Sequence, residues 1–264
     1  MSGFTAQWLA LREPADAVAR SESLISFVDR GAERAALREG RLLDLGGGTG
    51  SNIRYLSSRL PVPQQWMLVD SDPALLAHAP AGVTTRRLDL NAAVSDADLF
   101  RGCSLVTASA LLDLVSESWL AALIAQCRAA ESAVLFALSY DGRIVCSPSE
   151  PEDEEIRGLM NTHQTTDKGF GPALGPDAAA RTTALLAEAG YETKQEQSDW
   201  TLGSESPDLQ RALIAGWAAA AIEMAIARKT AIEDWRSRRV AHVDAGTSRL
   251  VVGHIDVAAR IDVA

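Results

Sequence analysis

Apolar and polar positions change period several times along the chain, and each change predicts an element. Residues 5–38 carry helical spacing, with Leu24, Ile25, Val28 and Leu37 on one face and Gly40 at the end. From Arg41 short apolar runs alternate with helical stretches. Strands are predicted at 41–45, 66–70, 83–88, 104–108 and 133–139, and helices at 51–60, 73–78 and 118–130. This alternation calls for a parallel sheet with helices on both faces.

After Tyr140 the rhythm changes. A helix is predicted from Ser149 to Gln164, with Pro151 in its first turn and Ser149 and Glu152 at capping-box spacing. The loop TTDKGFGPALGP, residues 165–176, follows. Next come a helix at 177–189 closed by Gly190 and a strand at 191–202. Two more helices start at Pro207, behind Ser206, and behind Thr230, whose capping partner is Glu233; Gly246 ends the second. The last strand spans 249–258. No repeat, low-complexity tract or linker interrupts residues 1–264, which predicts a single domain.

Charge narrows the partners. The formal net charge is −10, so phosphate backbones and anionic membranes are repelled and nucleic acid is not expected as a partner. The basic run WRSRR, residues 235–239, is short and reads as a solvated helix face. The longest apolar run, Leu209 to Ile226, is broken by Gln210, Arg211 and Glu223, which predicts an alanine-rich helix and no membrane span. Cys103, Cys127 and Cys146 stand apart without CxxC spacing, and the first twenty residues mix charges into their apolar stretch. Free thiols in the cytoplasm, with no signal peptide, are the expectation.

The candidate chemistry starts at LLDLGGGTGSN, residues 42–52. A strand, a glycine turn and a helix place bare amides at a helix N-terminus, where a ligand can approach the backbone closely. A dinucleotide fingerprint fits poorly, because Ser51 stands where the third glycine belongs. A P-loop fails for want of GK[ST]. The loop matches [DE]xGxGxG, as Asp44, Gly46, Gly48 and Gly50, with Gly47 between them. An acid at the strand end suits a cationic ligand and repels a pyrophosphate.

Three more motifs follow in order: MLVDSDP at 67–73, RRLDLN at 86–91 and VTASALLDLVS at 106–116. With the glycine loop they make residues 40–140 resemble the class I S-adenosylmethionine-dependent methyltransferases of the small-molecule type. The resemblance implies a three-layer Rossmann-like methyltransferase fold, with a seven-stranded, mostly parallel sheet in the order 3-2-1-4-5-7-6. It implies S-adenosyl-L-methionine as cofactor and no metal. Asp44 and the loop glycines would hold the methionine end. Asp70, beside Ser71, would accept the ribose hydroxyls. Asp89 would meet the adenine amino group, and the Leu90 backbone its ring edge. Ser109 would line the methyl end, and Arg20 would take the methionine carboxylate or else be a surface arginine.

The chain departs from the family in two places. Residues 140–176 follow the fifth strand, and 203–247 separate the last two strands where the family has a short hairpin. Both are expected over the C-terminal strand edge, shaping the acceptor pocket, with residues 1–39 as a helical cover. The NPPY or DPPY pattern that grips planar amino groups is replaced by Ser109, Ala110, Leu111 and Leu112, which points to a small-molecule acceptor at oxygen or carbon.

Two residues are candidates for catalysis. Asp113 either orients or deprotonates the acceptor, or starts a helix. His163 shares a helical face with Ile156, Leu159 and Met160; it is either a general base beside the glycine-rich loop or a helix-terminal histidine satisfying a carbonyl. His254 and Asp256 share a face of the last strand without a metal-ligand set. A cofactor-binding or partner-binding protein without turnover is the alternative function. A nicotinamide-dependent reductase is disfavoured by Asp44 and Ser51. The acceptor's identity and the oligomeric state are open at this level.

Overall fold

The structure, a computed structural model, describes residues 4–28, 40–60 and 64–261. A strand whose consecutive side chains both meet apolar surface needs cover on two sides. In β1 (Arg41–Leu45), Leu42 and Leu43 are buried in different cores. Leu43 joins Val106 and Phe136 under α4 (Leu90–Ala93), α5 (Ala97–Phe100), α6 (Glu117–Ala129) and α8 (Ala178–Glu188). Leu42 joins Leu68, Leu105 and Leu135 under α2 (Ser51–Ser57) and the helical residues 22–28, with Leu76 of α3 (Pro73–Leu76) packed against them. The result is the three-layer sandwich predicted.

β2 (Gln65–Asp70), β3 (Thr84–Arg87), β4 (Cys103–Ser109) and β5 (Ala133–Ser147) run parallel with β1. β8 (Arg249–Arg260) lies antiparallel to β5, β6 (Glu192–Gln197) and β7 (Trp200–Leu202). The order β3-β2-β1-β4-β5-β8-β6, with β7 also on β8, is the expected one with one difference. The strand predicted at 191–202 is split, which gives eight strands for seven. Ser198 N donates to the His254 carbonyl at 2.9 Å, and the Asp199 carboxylate accepts from His254 N at 3.2 Å, so this pair leaves the ladder.

β5 is the largest surprise among the strands. It continues eight residues beyond 139, and its end, Ile144 to Ser147, pairs with the start of β8. With β7 on the other side of β8, this makes a three-stranded arm past the C-terminal edge of the parallel strands. A third core forms on it from α7 (Asp153–Gln164), α9 (Pro207–Met224) and α10 (Lys229–Asp244), with α1 (Ala6–Ala19) against its flank. No helix of the described residues is long and apolar enough to cross a membrane, and the three cysteines are free.

Four local expectations are corrected. The helix predicted over 5–38 breaks at Arg20, whose extended backbone lets its side chain turn inward to Asn52; residues 29–39, with Leu37, lie outside the described residues. Ser149 and Glu152 form no capping box, because Glu150 and Glu152 both pair with Arg238 and α7 starts at Asp153. Thr230 caps nothing either: α10 starts one residue earlier, and Glu233 pairs with Lys229. WRSRR is not a solvated face throughout, since Trp235 and Arg239 are fully buried.

Candidate functional site

The glycine loop follows β1. Gly46, Gly48 and Gly50 all have positive φ, at 62°, 55° and 80°, which only glycine adopts freely. Gly46 N donates to the Val69 carbonyl at 2.8 Å, tying the turn to β2. Asp70 ends β2, and its two carboxylate oxygens accept from Gly48 N and Asp72 N, both at 2.9 Å. Those bonds orient the carboxylate and leave lone pairs on each oxygen. Leu90 and Leu111 approach Gly46 from the α4 side.

Asp44 is fully buried. Its Oδ1 accepts from Asn52 Nδ2 at 2.5 Å and Thr107 Oγ1 at 2.7 Å, while Oδ2 has no partner. Burial pushes the carboxyl up to about 6, against the pull of Thr107, Asn52 and Arg20. Arg20, also buried, donates through Nη1 to Asn52 Oδ1 at 2.5 Å and lies over the Tyr55 ring; its Nε has no partner. Asn52 thus bridges a carboxylate and a guanidinium, each with one bare atom. Gly47 must be glycine for the same reason: a Cβ there would run into Asp44 Oδ2.

A cavity of about 70 Å³ lies over the loop, lined by Gly46, Gly47, Gly48, Ser51, Asn52, Asp70 and Ser109 from the core fold. Its other wall is α1, through Leu9, Arg12 and Asp16. Leu9 sits so close that a Cβ on Gly48 would meet its Cδ1 at 2.8 Å. The C-terminal end of α1 is fixed by Arg20 and by the bond from Ser21 N to Asp256. Pro14 inside the helix withdraws one backbone bond from its middle.

The other predicted residues are placed as follows. Arg20 and Ser109 also line an adjoining cavity with Asn52. Ser71 and Asp89 are exposed; the Asp89 side chain accepts from Asn91 N at 2.7 Å and caps α4. Leu90 is buried, and its carbonyl accepts from Trp119 Nε1 at 3.0 Å. Asp113 is buried in a short turn after β4. Its Oδ2 accepts from Gln164 Nε2 at 3.3 Å, its Oδ1 has no partner, and burial pushes the carboxyl up to about 6. His163 faces α9, with Nε2 3.2 Å from Glu223 and Nδ1 3.3 Å from Lys168 Nζ.

The loop 165–176 packs on the turn that follows β4. Leu174 N donates to the Val115 carbonyl at 2.9 Å, and Phe170 packs edge-on against Trp119. Two of the three left-handed non-glycine residues among those described lie near this edge; the third, Glu131, precedes β5. Ala110 and Leu138, just beyond β4 and within β5, have φ of 51° and 56°, and each left-handed non-glycine residue costs roughly 1–2 kcal/mol. Sequence reasoning missed Arg12, Asp16, Thr107 and Gln164. Asn52 was within the quoted loop but had no role, and its contact with Asp44 needs the turn of α2 to be seen.

No protein-family model matches the chain, and no curated protein matches it. Solved structures do. The chain is similar to geranyl diphosphate C-methyltransferase from Streptomyces coelicolor, at 11% identity over 85% of this chain and 72% of that one, with a TM-score of 0.46. It is similar to a sugar N-methyltransferase from a Streptoalloteichus species, at 17% identity over 74% and 87%, with a TM-score of 0.45. A cyclopropane synthase from Mycobacterium tuberculosis gives 11% identity over 84% and 78%, with a TM-score of 0.44. With scores below 0.5, these likenesses leave the chemistry to the chain's own residues.

Proposed function

We propose that the chain is an S-adenosylmethionine-dependent methyltransferase acting on a small molecule, at oxygen or carbon. One observation carries this reading. Asp44 Oδ2 and Arg20 Nε are buried, of opposite charge and without partners, on either side of Asn52. Buried polar groups are seldom left bare, and this pair complements the ammonium and carboxylate of an amino acid. A cofactor that ends in methionine satisfies both; one that presents a pyrophosphate would set negative charge against Asp44.

When bound, S-adenosylmethionine supplies a methyl group on a sulfonium, and the bond from that carbon to the acceptor forms as the carbon–sulfur bond breaks, sulfur keeping the electron pair. The chain's residues then hold, orient and exclude water. Asp70 takes the ribose hydroxyls beside Ser71, the Asp89–Leu90 turn meets the adenine, and Ser109 borders the methyl end. Asp113 receives the proton of a hydroxyl or acidic carbon. A carboxyl raised to about 6 is ionised at neutral pH and still basic enough for the task. His163 is the second candidate base, and its ring is engaged by Glu223 and Lys168.

Ligand pockets typically measure about 300–1,000 Å³, against about 70 Å³ over the glycine loop. The adjoining cavity over Arg20 and Asn52 adds about 220 Å³, and Leu9 of α1 closes the glycine end, so the N-terminal half of α1 shifts when the cofactor enters. Hydrogen exchange across residues 6–13 is expected to change on adding S-adenosylhomocysteine; no change there would remove α1 as the gate.

Calorimetry is expected to show binding of S-adenosylmethionine and none of NADH. Asp70→Ala should weaken binding by about 1.5–3 kcal/mol through two lost charge-assisted bonds. Unaltered affinity would take Asp70 out of the site. Gly48→Leu should abolish binding while the protein stays folded, since φ of 55° costs a side chain only about 1–2 kcal/mol. Normal binding by that variant would mean that the loop is not the cofactor site. Single-turnover release of S-adenosylhomocysteine separates an enzyme from a cofactor-binding protein without turnover.

A further inference from the structure

The last strand carries a buried acid that has no part in the chemistry above. Asp256, on β8, is 1% exposed. Opposite it, β5 holds two residues where one belongs: Phe136 pairs with Val257 and Ser139 with Ile255, which leaves Ala137 and Leu138 against Asp256 alone. Such a bulge takes a backbone N–H out of the ladder. The Asp256 side chain supplies the missing partner, its Oδ1 accepting from Leu138 N at 2.7 Å. Leu138 is left-handed, with φ of 56°, and a leucine holds that conformation only where its surroundings fasten it.

One oxygen suffices for the bulge. The second, Oδ2, leaves the sheet and accepts from Ser21 N at 3.3 Å. Ser21 follows Arg20 where α1 ends, and the extended backbone of Arg20 turns its guanidinium to Asn52 Oδ1. The bulge also reaches the facing wall. The Ala137 carbonyl accepts from Ala110 N at 2.9 Å, and Ala110 follows Ser109. Arg20 and Ser109 line one cavity of about 220 Å³ with Asn52 between them in the loop helix. One carboxylate is thus bonded to the chain beside one wall and, through the bulge, to the chain beside the other. Its charge has an object too. Burial pulls the Arg20 guanidinium down, and Asp256 is the strongest of the groups that pull it back up.

We propose that Asp256 is a positioning residue for the amino-acid end of the cofactor: by bonding Ser21 and the β5 bulge together it holds Arg20 where it meets the methionine carboxylate, across from Ser109. This rests on the methyltransferase reading. The role is selective. Asp70, which takes the ribose, lines the cavity over the glycine loop and not the one walled by Arg20. Asp256 therefore acts on the amino-acid end and leaves the nucleoside end alone.

Calorimetry on the full chain compares S-adenosylhomocysteine with 5′-methylthioadenosine, which has the nucleoside and the sulfur and lacks the amino-acid end. In Asp256→Asn the amide oxygen can keep Leu138 N, while the charge goes and an NH₂ group faces Ser21 N. S-adenosylhomocysteine is expected to bind about tenfold more weakly, and 5′-methylthioadenosine less than about twofold more weakly. On an Arg20→Ala background the same substitution should change S-adenosylhomocysteine affinity less than about twofold, because it acts through Arg20. That comparison decides alone where 5′-methylthioadenosine binds the parent too weakly to measure. Should Asp256→Asn not fold, Ser21→Pro removes the donor from the other side, since the Arg20 ψ of 146° suits the residue before a proline, and the same selective loss is expected. Equal weakening of both ligands, unchanged affinity for S-adenosylhomocysteine, or a full tenfold loss on the Arg20→Ala background overturns the proposal and leaves the methyltransferase standing. A parent chain that does not bind S-adenosylhomocysteine overturns both.

Discussion

Arg239→Met is expected to destabilise the protein by about 3 kcal/mol in urea unfolding, at the lower end of what breaking a buried ion pair costs. Arg239 is fully buried on α10 and makes a two-pronged pair with Asp153, the first residue of α7, while its Nη1 donates to the Pro148 carbonyl. Asp153 also accepts from Trp235 Nε1 at 2.8 Å and Glu150 N at 2.8 Å. This cluster locks the start of α7 to α10 and so fixes the third core on the arm of β5 and β8. Methionine keeps the volume and strands the Asp153 carboxylate. That side chain is 22% exposed, and water relieves part of the penalty. Arg239→Met with Asp153→Asn should recover part of the loss, because asparagine carries no charge and its carbonyl can still accept from Trp235 Nε1. A double variant as unstable as the single one would show that packing, not the lone charge, sets the cost.

The same residue shows where sequence reading stops. A run such as WRSRR reads as solvated because arginine is seldom fully buried. Burial of Arg239 depends on Asp153, more than eighty residues away, and nothing local announces that pairing. The split at Ser198 and Asp199 and the long β5 arm have the same origin: both are set by partners on β8.

The parallel core was legible because it is periodic and local. Leu42 and Leu43, buried on opposite faces, are the signature of a strand covered twice, and the strand order followed from motifs in sequence. The proposed cofactor loop was legible for the same reason, since Asp44, the loop glycines and Asp70 lie at strand ends within one short stretch. Its cover was not. Arg12 and Asp16 come from the first helix, and their partner Trp200 from a strand near the other end of the chain. His163 was singled out on helical spacing, while its neighbour Gln164 is the residue that reaches Asp113.

Asp113→Asn should slow methyl transfer by about 10²–10⁴-fold, the usual worth of a general base, and make the protein more stable at neutral pH. The sign follows from burial, which raises this carboxyl from 3.8 to about 6 in the folded chain. Between those values the folded state holds a proton that the unfolded state has lost, so the contribution of Asp113 to stability is full below about pH 4 and falls as pH rises to 6. Above that the whole cost remains. A shift of about two units corresponds to an upper bound near 3 kcal/mol. Asparagine is neutral throughout, and its carbonyl can still accept from Gln164. At pH 7.5 the variant should therefore gain on the order of 1–3 kcal/mol over the parent, and at pH 4 almost nothing. Asp44 and Asp16 are raised by burial too, so the parent alone would slope with pH; the difference between the two proteins isolates Asp113. Thermal midpoints at the two pH values decide it. An equal gain at both would mean that the carboxyl is not held high by burial, and a loss at both would mean that Oδ1 has a partner that the amide cannot keep. A gain at pH 7.5 alone, together with the slower transfer, would mark a carboxylate kept bare for chemistry at the expense of the fold.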